Sequence, residues 1–299
     1  MIERKKENPI KAFFVILKDM IKYNKGFAFG FFFIMLALCL TFMSVFSPYN
    51  PKSWNVVPKD LPPSLKHPLG TNSVGQDVFW LLTFAIGNSF LLGSVTAIIA
   101  SIIGTIVGLI AGYKGGLADR ILMSLNDTFI VLPSLPILIF LAFSLRENLN
   151  VVTMGMILSV FSWPWGGRQI RAMVLSLRER EFTYTADSSG MNTFKIVFKE
   201  HFPFIIPWVM ANFINTILWS IGMEVTLAVF GLSSLETPTI GTMIYWSTQY
   251  QALFRGVWWW VLTPVVLAVL LFVSLFFVSS GITEFLDPRT RLQRIKARG

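Results

Sequence analysis

Charge divides this chain into six long apolar stretches: Gly26–Phe46, Phe84–Gly112, Ile121–Leu145, Leu149–Gly167, Pro203–Leu232 and Gly256–Gly281. A helix needs about 20 apolar residues to cross the hydrocarbon of a bilayer. In lipid every backbone N–H and C=O must be satisfied within the segment, so such stretches fold as helices. The 54% hydrophobic and 14% charged content, with mean hydropathy +0.63, leaves too few polar side chains to cover a soluble surface of this size. The expectation is an all-α integral membrane protein with six transmembrane helices. The second and fifth stretches exceed one bilayer thickness, so they tilt, bend or project beyond the membrane.

The basic residues orient these spans. With the N-terminus inside, twenty Lys and Arg fall on the cytoplasmic side and five outside, and this positive-inside bias places both termini in the cytoplasm. The same bias absorbs the net charge of +9 as topology and contact with anionic lipid, which removes nucleic acid as a partner. The chain then divides into a cytoplasmic segment 1–25, a first helix 26–46, an extracellular proline-rich loop 47–83, a five-helix core 84–283 and a basic tail 284–299. Within the first segment, residues 10–22 segregate apolar and basic positions as an interfacial helix does. The first apolar run is long and lacks an A-x-A site after it, so it reads as a retained anchor. Six prolines between 48 and 68 make the outer loop irregular but ordered. Trp258, Trp259 and Trp260 at the outer end of the last span suit an interfacial belt. The single cysteine, Cys39, lies in an apolar run, and His67 and His201 have no partner at metal-ligand spacing.

Several features within the spans bear on packing. Gly104, Gly108 and Gly112 recur every four residues on one helix face, where small residues let helix backbones approach closely. Pro133, Pro136, Pro164, Pro207 and Pro264 interrupt spans, and each can kink its helix. Asp127 and Glu224 are acids inside apolar runs and must face a partner, water or a pathway. For Asp127 an interfacial cap or an ion pair with Arg120 is the structural reading. For Glu224 structural and pathway roles stay open.

The cytoplasmic loop 168–204 is charged, amphipathic and centred on Gly190. It reads as helix, turn, helix, with a first arm over Ser176–Ser188, a reversal at Gly190 and a second arm over Thr193–His201 that stops at Pro203. Such a hairpin suits docking in a partner's groove or an inert surface. The nearest approach to a phosphate-binding loop, Gly70 to Gly75 followed by Gln76 and Asp77, lacks the lysine. No nucleophile and base stand together, so the chain reads as no enzyme by itself.

HPLGTNSVGQDVF (67–79), AGYKGGLADRILMSLND (111–127), PSLP (133–136), LSLREREF (175–182), the Gly190 loop and EFLDPRTR (284–291) follow one another in order. Together they resemble the dipeptide/oligopeptide/nickel permease family, the membrane subunits of type I ABC importers, and the second permease of the pair in particular. The resemblance implies a type I importer permease fold in a prokaryotic plasma (inner) membrane. It implies a homologous permease as heterodimer partner, two ATPase subunits that bind ATP and Mg, an extracellular substrate-binding protein, and no cofactor on this chain. The loop around Gly190 would couple to the ATPase through Glu181, Tyr184, Thr185, Ala186 and Asp187, with Phe194, Val197 and Phe198 as apolar docking residues. Tyr184, Thr185 and Ala186 stand where the family has Glu-Ala-Ala. Glu224 to Leu227, then Gly231 to Ser233, resemble the family's fifth-span pattern. Glu224, Asp127 and Pro133 are translocation or gating candidates. Peptides or oligosaccharides are the implied cargo. The alternatives are nickel import or, in a different class, an ion-coupled secondary transporter, which would favour inverted repeats that this sequence does not display.

Overall fold

The computed structural model describes residues 17–286. The expected interfacial helix over 10–22 lies mostly outside these residues, with 17–23 helical, and the basic tail beyond 286 also lies outside them. The fold is built on α1 (Lys25–Met43), α2 (Val78–Lys114), α3 (Gly116–Val131), α4 (Ser134–Ser144), α5 (Val151–Arg178), α6 (Glu181–Ser188), α7 (Phe202–Val229), α8 (Ile240–Gln249) and α9 (Trp258–Leu286). Among the described residues, extended pairing is limited to one isolated bridge, Thr71 with Asp77.

Four helical stretches are long and apolar enough to cross a membrane: Lys25–Phe46, Val78–Lys114, Thr193–Val229 and Trp258–Phe285. The pair α3 and α4, bent by 83°, counts as a fifth if it forms one span. Length and composition by themselves mark out four or five of the six expected spans among the described residues. The expected fourth span lies inside α5, where the 17 residues before Arg168 include Ser, Trp, Pro and Gly and fall short of a full apolar window. The break in the expected third span is a proline effect. Leu132 N donates to Thr128 O, but Leu132 takes an extended backbone (ψ 133°) before Pro133, and α3 ends there. Pro164, Pro207 and Pro264 remain inside helices.

The most extensive helix contact is between α2 and α5, which run in the same direction. Gly104, Gly108 and Gly112 form the seam. A Cβ at Gly104 would lie 2.9 Å from Trp163 O, one at Gly108 2.7 Å from Gly167 O, and one at Gly112 2.7 Å from Val174 Cβ. Only glycine admits this approach. The reversed pair α1 and α9 closes one end of the bundle, where Asn24 Nδ2 donates to Glu284 Oε2 at 2.8 Å.

At the opposite end the 47–77 segment folds without helix. Its prolines offer carbonyls but no N–H donors, and side chains supply the missing donors. Gln76 Nε2 donates to Pro51 O (2.9 Å) and Thr71 Oγ1 to Pro58 O (2.7 Å). Asp77 fastens this knot to α2. One of its oxygens accepts from Phe79 N and Trp80 N, capping the helix, and the other lies 2.6 Å from Nδ1 of the buried His67. Trp259 and Trp260 do not form the expected belt. Both are buried, Trp259 donating through Nε1 to Thr71 O at 3.0 Å, and of the three only Trp258 is exposed. An indole with a backbone acceptor in reach gains more by sealing the loop than by facing the interface.

The seam predicts an asymmetry between glycines. Gly108→Val should lower unfolding stability in detergent by about 1–3 kcal/mol through overpacking. Gly222→Ala, whose nearest neighbour would be 3.8 Å away, should not lower it. Equal stabilities in a denaturant titration would rule out the seam as a close backbone contact.

Candidate functional site

Two regions gather the residues singled out by sequence: the 179–201 segment at one end of the bundle, and the concavity flanked by α3, α4, α5 and α7.

The expected first arm over Ser176–Ser188 is two helices. The carbonyl of Leu177 accepts from Arg180 N (3.1 Å) and from Thr183 Oγ1 (2.8 Å), which closes α5 at Arg178 and lets α6 start in a new direction. Gly190 (φ 73°) ends α6. Its N–H donates to Asp187 O and Met191 N to Ala186 O, the paired bonds of a Schellman cap. Asn192 then caps the next turn by accepting from Phe194 N. The expected stop at Pro203 does not occur. A π-helical turn, Ile196–His201, joins Thr193–Lys195 to α7, and Pro203 sits in the first turn of α7 directly after it.

A buried hook holds this segment to the bundle. The Thr183 hydroxyl spends its proton on Leu177 O, so it accepts from His201 Nε2–H at 3.0 Å, and His201 is fully buried beside Tyr113 and Phe182. Ala186 and Val197 face inward, Val197 packing with Leu109, Ile170 and Ile205. Glu181, Thr185 and Asp187 are exposed, as are the rings of Tyr184 (64%), Phe194 (66%) and Phe198 (46%). The outward apolar surface is therefore Tyr184, Phe194 and Phe198, while Val197 belongs to the bundle core.

Asp127 does not pair with Arg120. Its carboxylate accepts from Arg168 Nη2, joining α3 to α5, and about two turns earlier on α3 Asp119 accepts from Arg171 Nε at 2.5 Å. The parallel course of α2 and α5 brings Arg168 over the α3 face, whereas Arg120 lies seven residues earlier on Asp127's own helix. Next to the Asp127–Arg168 pair opens a cavity of about 490 Å³. Residues flanking the Pro133 break form one wall, Phe161 to Trp165 of α5 a second, and Asn212 to Trp219 of α7 the third. Asn126 Nδ2 donates to Pro164 O at 2.8 Å and holds the first two walls together.

Glu224 is 1% exposed on α7. Oε1 accepts from Ser233 Oγ (2.8 Å) and Thr239 Oγ1 (2.7 Å), and a Cβ at Gly241 would come within 2.6 Å of Oε2. The 230–240 loop is thus clamped to the end of α7, with Ser89 and Asn88 of α2 holding Ile240 N and Pro238 O.

The profile of a family described as binding-protein-dependent transport system inner membrane components matches residues 104–292. The chain belongs to this family. It is a membrane-spanning permease subunit of an ABC importer, a multi-pass protein of the plasma (inner) membrane. The permease is 28% identical over 292 residues to the oligopeptide transport system permease protein OppC of Lactococcus lactis subsp. cremoris, covering 97% of this chain and 99% of that one. It is 30% identical over 267 residues to OppC of Mycobacterium tuberculosis (87% and 90%) and 27% identical over 272 residues to the dipeptide transport system permease protein DppC of Bacillus subtilis (91% and 84%). Among solved structures, a chain of the MetNI methionine ABC transporter in inward-facing conformations shares the fold, with TM-score 0.53 at 20% identity over 70% of this permease and 97% of that chain.

Sequence reasoning missed Thr183, His201, Arg168, Asn126, Asn212 and Asn215 as members of these arrangements. The asparagines carried a legible signal, being amides within apolar runs. The Thr183–His201 hook had none, since its partners lie 18 residues apart across a turn.

The Glu224 clamp predicts that Glu224→Leu, which strips an acceptor from two buried hydroxyls, costs about 1–3 kcal/mol, while Glu224→Gln, which keeps an acceptor oxygen, costs less. Thermal unfolding in detergent and protease cleavage of the 230–240 loop measure this. Equal behaviour of Glu224→Leu and wild type would remove the clamp.

Proposed function

We propose that this permease imports peptides, working as one of two homologous permeases with two cytoplasmic ATPases and an external substrate-binding protein. Six spans with both termini in the cytoplasm complete the reading, α5 serving as the fourth despite its polar second half. The strongest support for peptides as cargo is that relatives named as oligopeptide or dipeptide permeases align over 84–99% of their own lengths.

ATP and Mg bind on the ATPase subunits, and this chain contributes the surface they move. The observation that carries the coupling role is the rigid, outward-facing trio Tyr184, Phe194 and Phe198 on a segment tied by the Thr183–His201 hook to α5 and α7. Exposed aromatic rings on a fixed hairpin anchor well in a partner's pocket. Tyr184, where the family has glutamate, replaces a charged contact by an aromatic one. Because α5 and α7 also form two walls of the 490 Å³ cavity, movement of the hairpin is transmitted to that cavity. Nucleotide binding then shifts the population between inward and outward states. The residues flanking the Pro133 break line the cavity, and the Asp127–Arg168 pair, outside its lining, ties α3 to α5; both serve as gating elements. Glu224 contributes by fixing the loop at the far end of α7.

Phe194→Asp should leave membrane insertion intact and reduce co-purification of the ATPase subunits at least about tenfold, the scale of one lost aromatic anchor. Gly190→Pro, which cannot adopt φ 73°, should insert but separate ATP hydrolysis from uptake. Wild-type coupling and assembly in both variants would refute the role of this segment.

A further inference from the structure

The cavity wall contributed by α7 carries an unusual chemistry for its depth. At 1.5 Å per residue, Asn212 and Asn215 lie about 15 and 20 Å from the Phe202 end of the helix, near the middle of a hydrocarbon layer about 30 Å thick. Neither side-chain amide hydrogen-bonds to another described residue. An amide at this depth cannot face acyl chains without a large desolvation cost, so these two face water or a ligand. Their surroundings select the ligand. No charged side chain lines the cavity; indoles of Trp165, 59% exposed, and Trp219 stand beside the amides. Each asparagine offers a donor and an acceptor together, the pair that every peptide unit of an extended chain presents in return. The indole faces offer broad apolar surface to side chains of varied size.

We propose that this wall holds a peptide in transit by its main chain, with Asn212 and Asn215 exchanging hydrogen bonds with peptide N–H and C=O groups while Trp165 and Trp219 pack against its side chains. The inference rests on the peptide reading above. It makes transport through this subunit tolerant of peptide sequence and sensitive to the backbone amides themselves. A second permease seated on the wall would also answer the amides, but it would exclude water and be indifferent to cargo.

The chain's single cysteine, Cys39, permits a direct test. In a Cys39→Ala background, Asn215→Cys is compared with Val269→Cys, an exposed apolar position on α9, in the complete importer in membrane vesicles. A water-soluble thiol reagent should modify Asn215→Cys about tenfold faster, because thiolate forms only where water reaches. Tetra-alanine should slow that modification, and its backbone N-methylated form should not. In uptake assays Asn212→Leu/Asn215→Leu should lower tetra-alanine import about tenfold, the scale of one or two neutral hydrogen bonds. It should also erase the preference over the N-methylated peptide, with Asn215→Gln restoring part of it. Modification no faster than at Val269→Cys, equal protection by both peptides, or full import by the double leucine variant would overturn the proposal. A wild-type importer that takes up no tetra-alanine sinks the peptide reading itself, whereas import that ignores N-methylation sinks only the main-chain wall.

Discussion

The parallel contact of α2 with α5 sets the position of nearly everything else. Three glycines four residues apart allow the helix backbones to touch, and in lipid, where no hydrophobic force drives helices together, such contact is the main source of association energy. Its consequence reaches both ends of α5. Toward the middle, Trp163 to Gly167 are held against α2, which turns Trp165 and Arg168 outward to the cavity and to Asp127. At the far end, Arg178 reaches the carbonyl of Tyr113 at 3.1 Å and fixes where α6 begins. The middle of α5 thereby faces the cavity while its end carries the hairpin.

A second constraint is the treatment of polar groups away from water. Most are held by partners within the chain: His67 by Asp77, one oxygen of Glu224 by Ser233 and Thr239, one ring nitrogen of His201 by Thr183. The first two fasten an irregular segment to a helix, because irregular backbone at a membrane surface needs side chains to complete its hydrogen bonds, and the third ties α6 to the π-helical turn before α7. Asn212 and Asn215 depart from this rule on a helix that needs no such help. The contrast is between side chains that hold the fold through at least one bond and amides that make none within the described residues and are available to a passing molecule.

Sequence periodicity and charge determined a great deal: the helical class, the long apolar helices though not the short α8, the glycine seam, the ordered proline-rich loop and the Gly190 reversal. These are local properties, set by apolar run length, by the steric freedom of glycine and by the missing N–H of proline. The turn at Gly190 was legible for the same reason, whereas the cap and His67 contact made by Asp77 were not read from sequence. Tertiary structure decided the pairings between distant segments. Asp127 meets Arg168 rather than Arg120, Trp259 turns inward to Thr71, Val197 joins the core, and the helix runs through Pro203. In each case the choice depends on which helix face a neighbour leaves open, a three-dimensional fact that arises only once the glycine seam has brought the helices together.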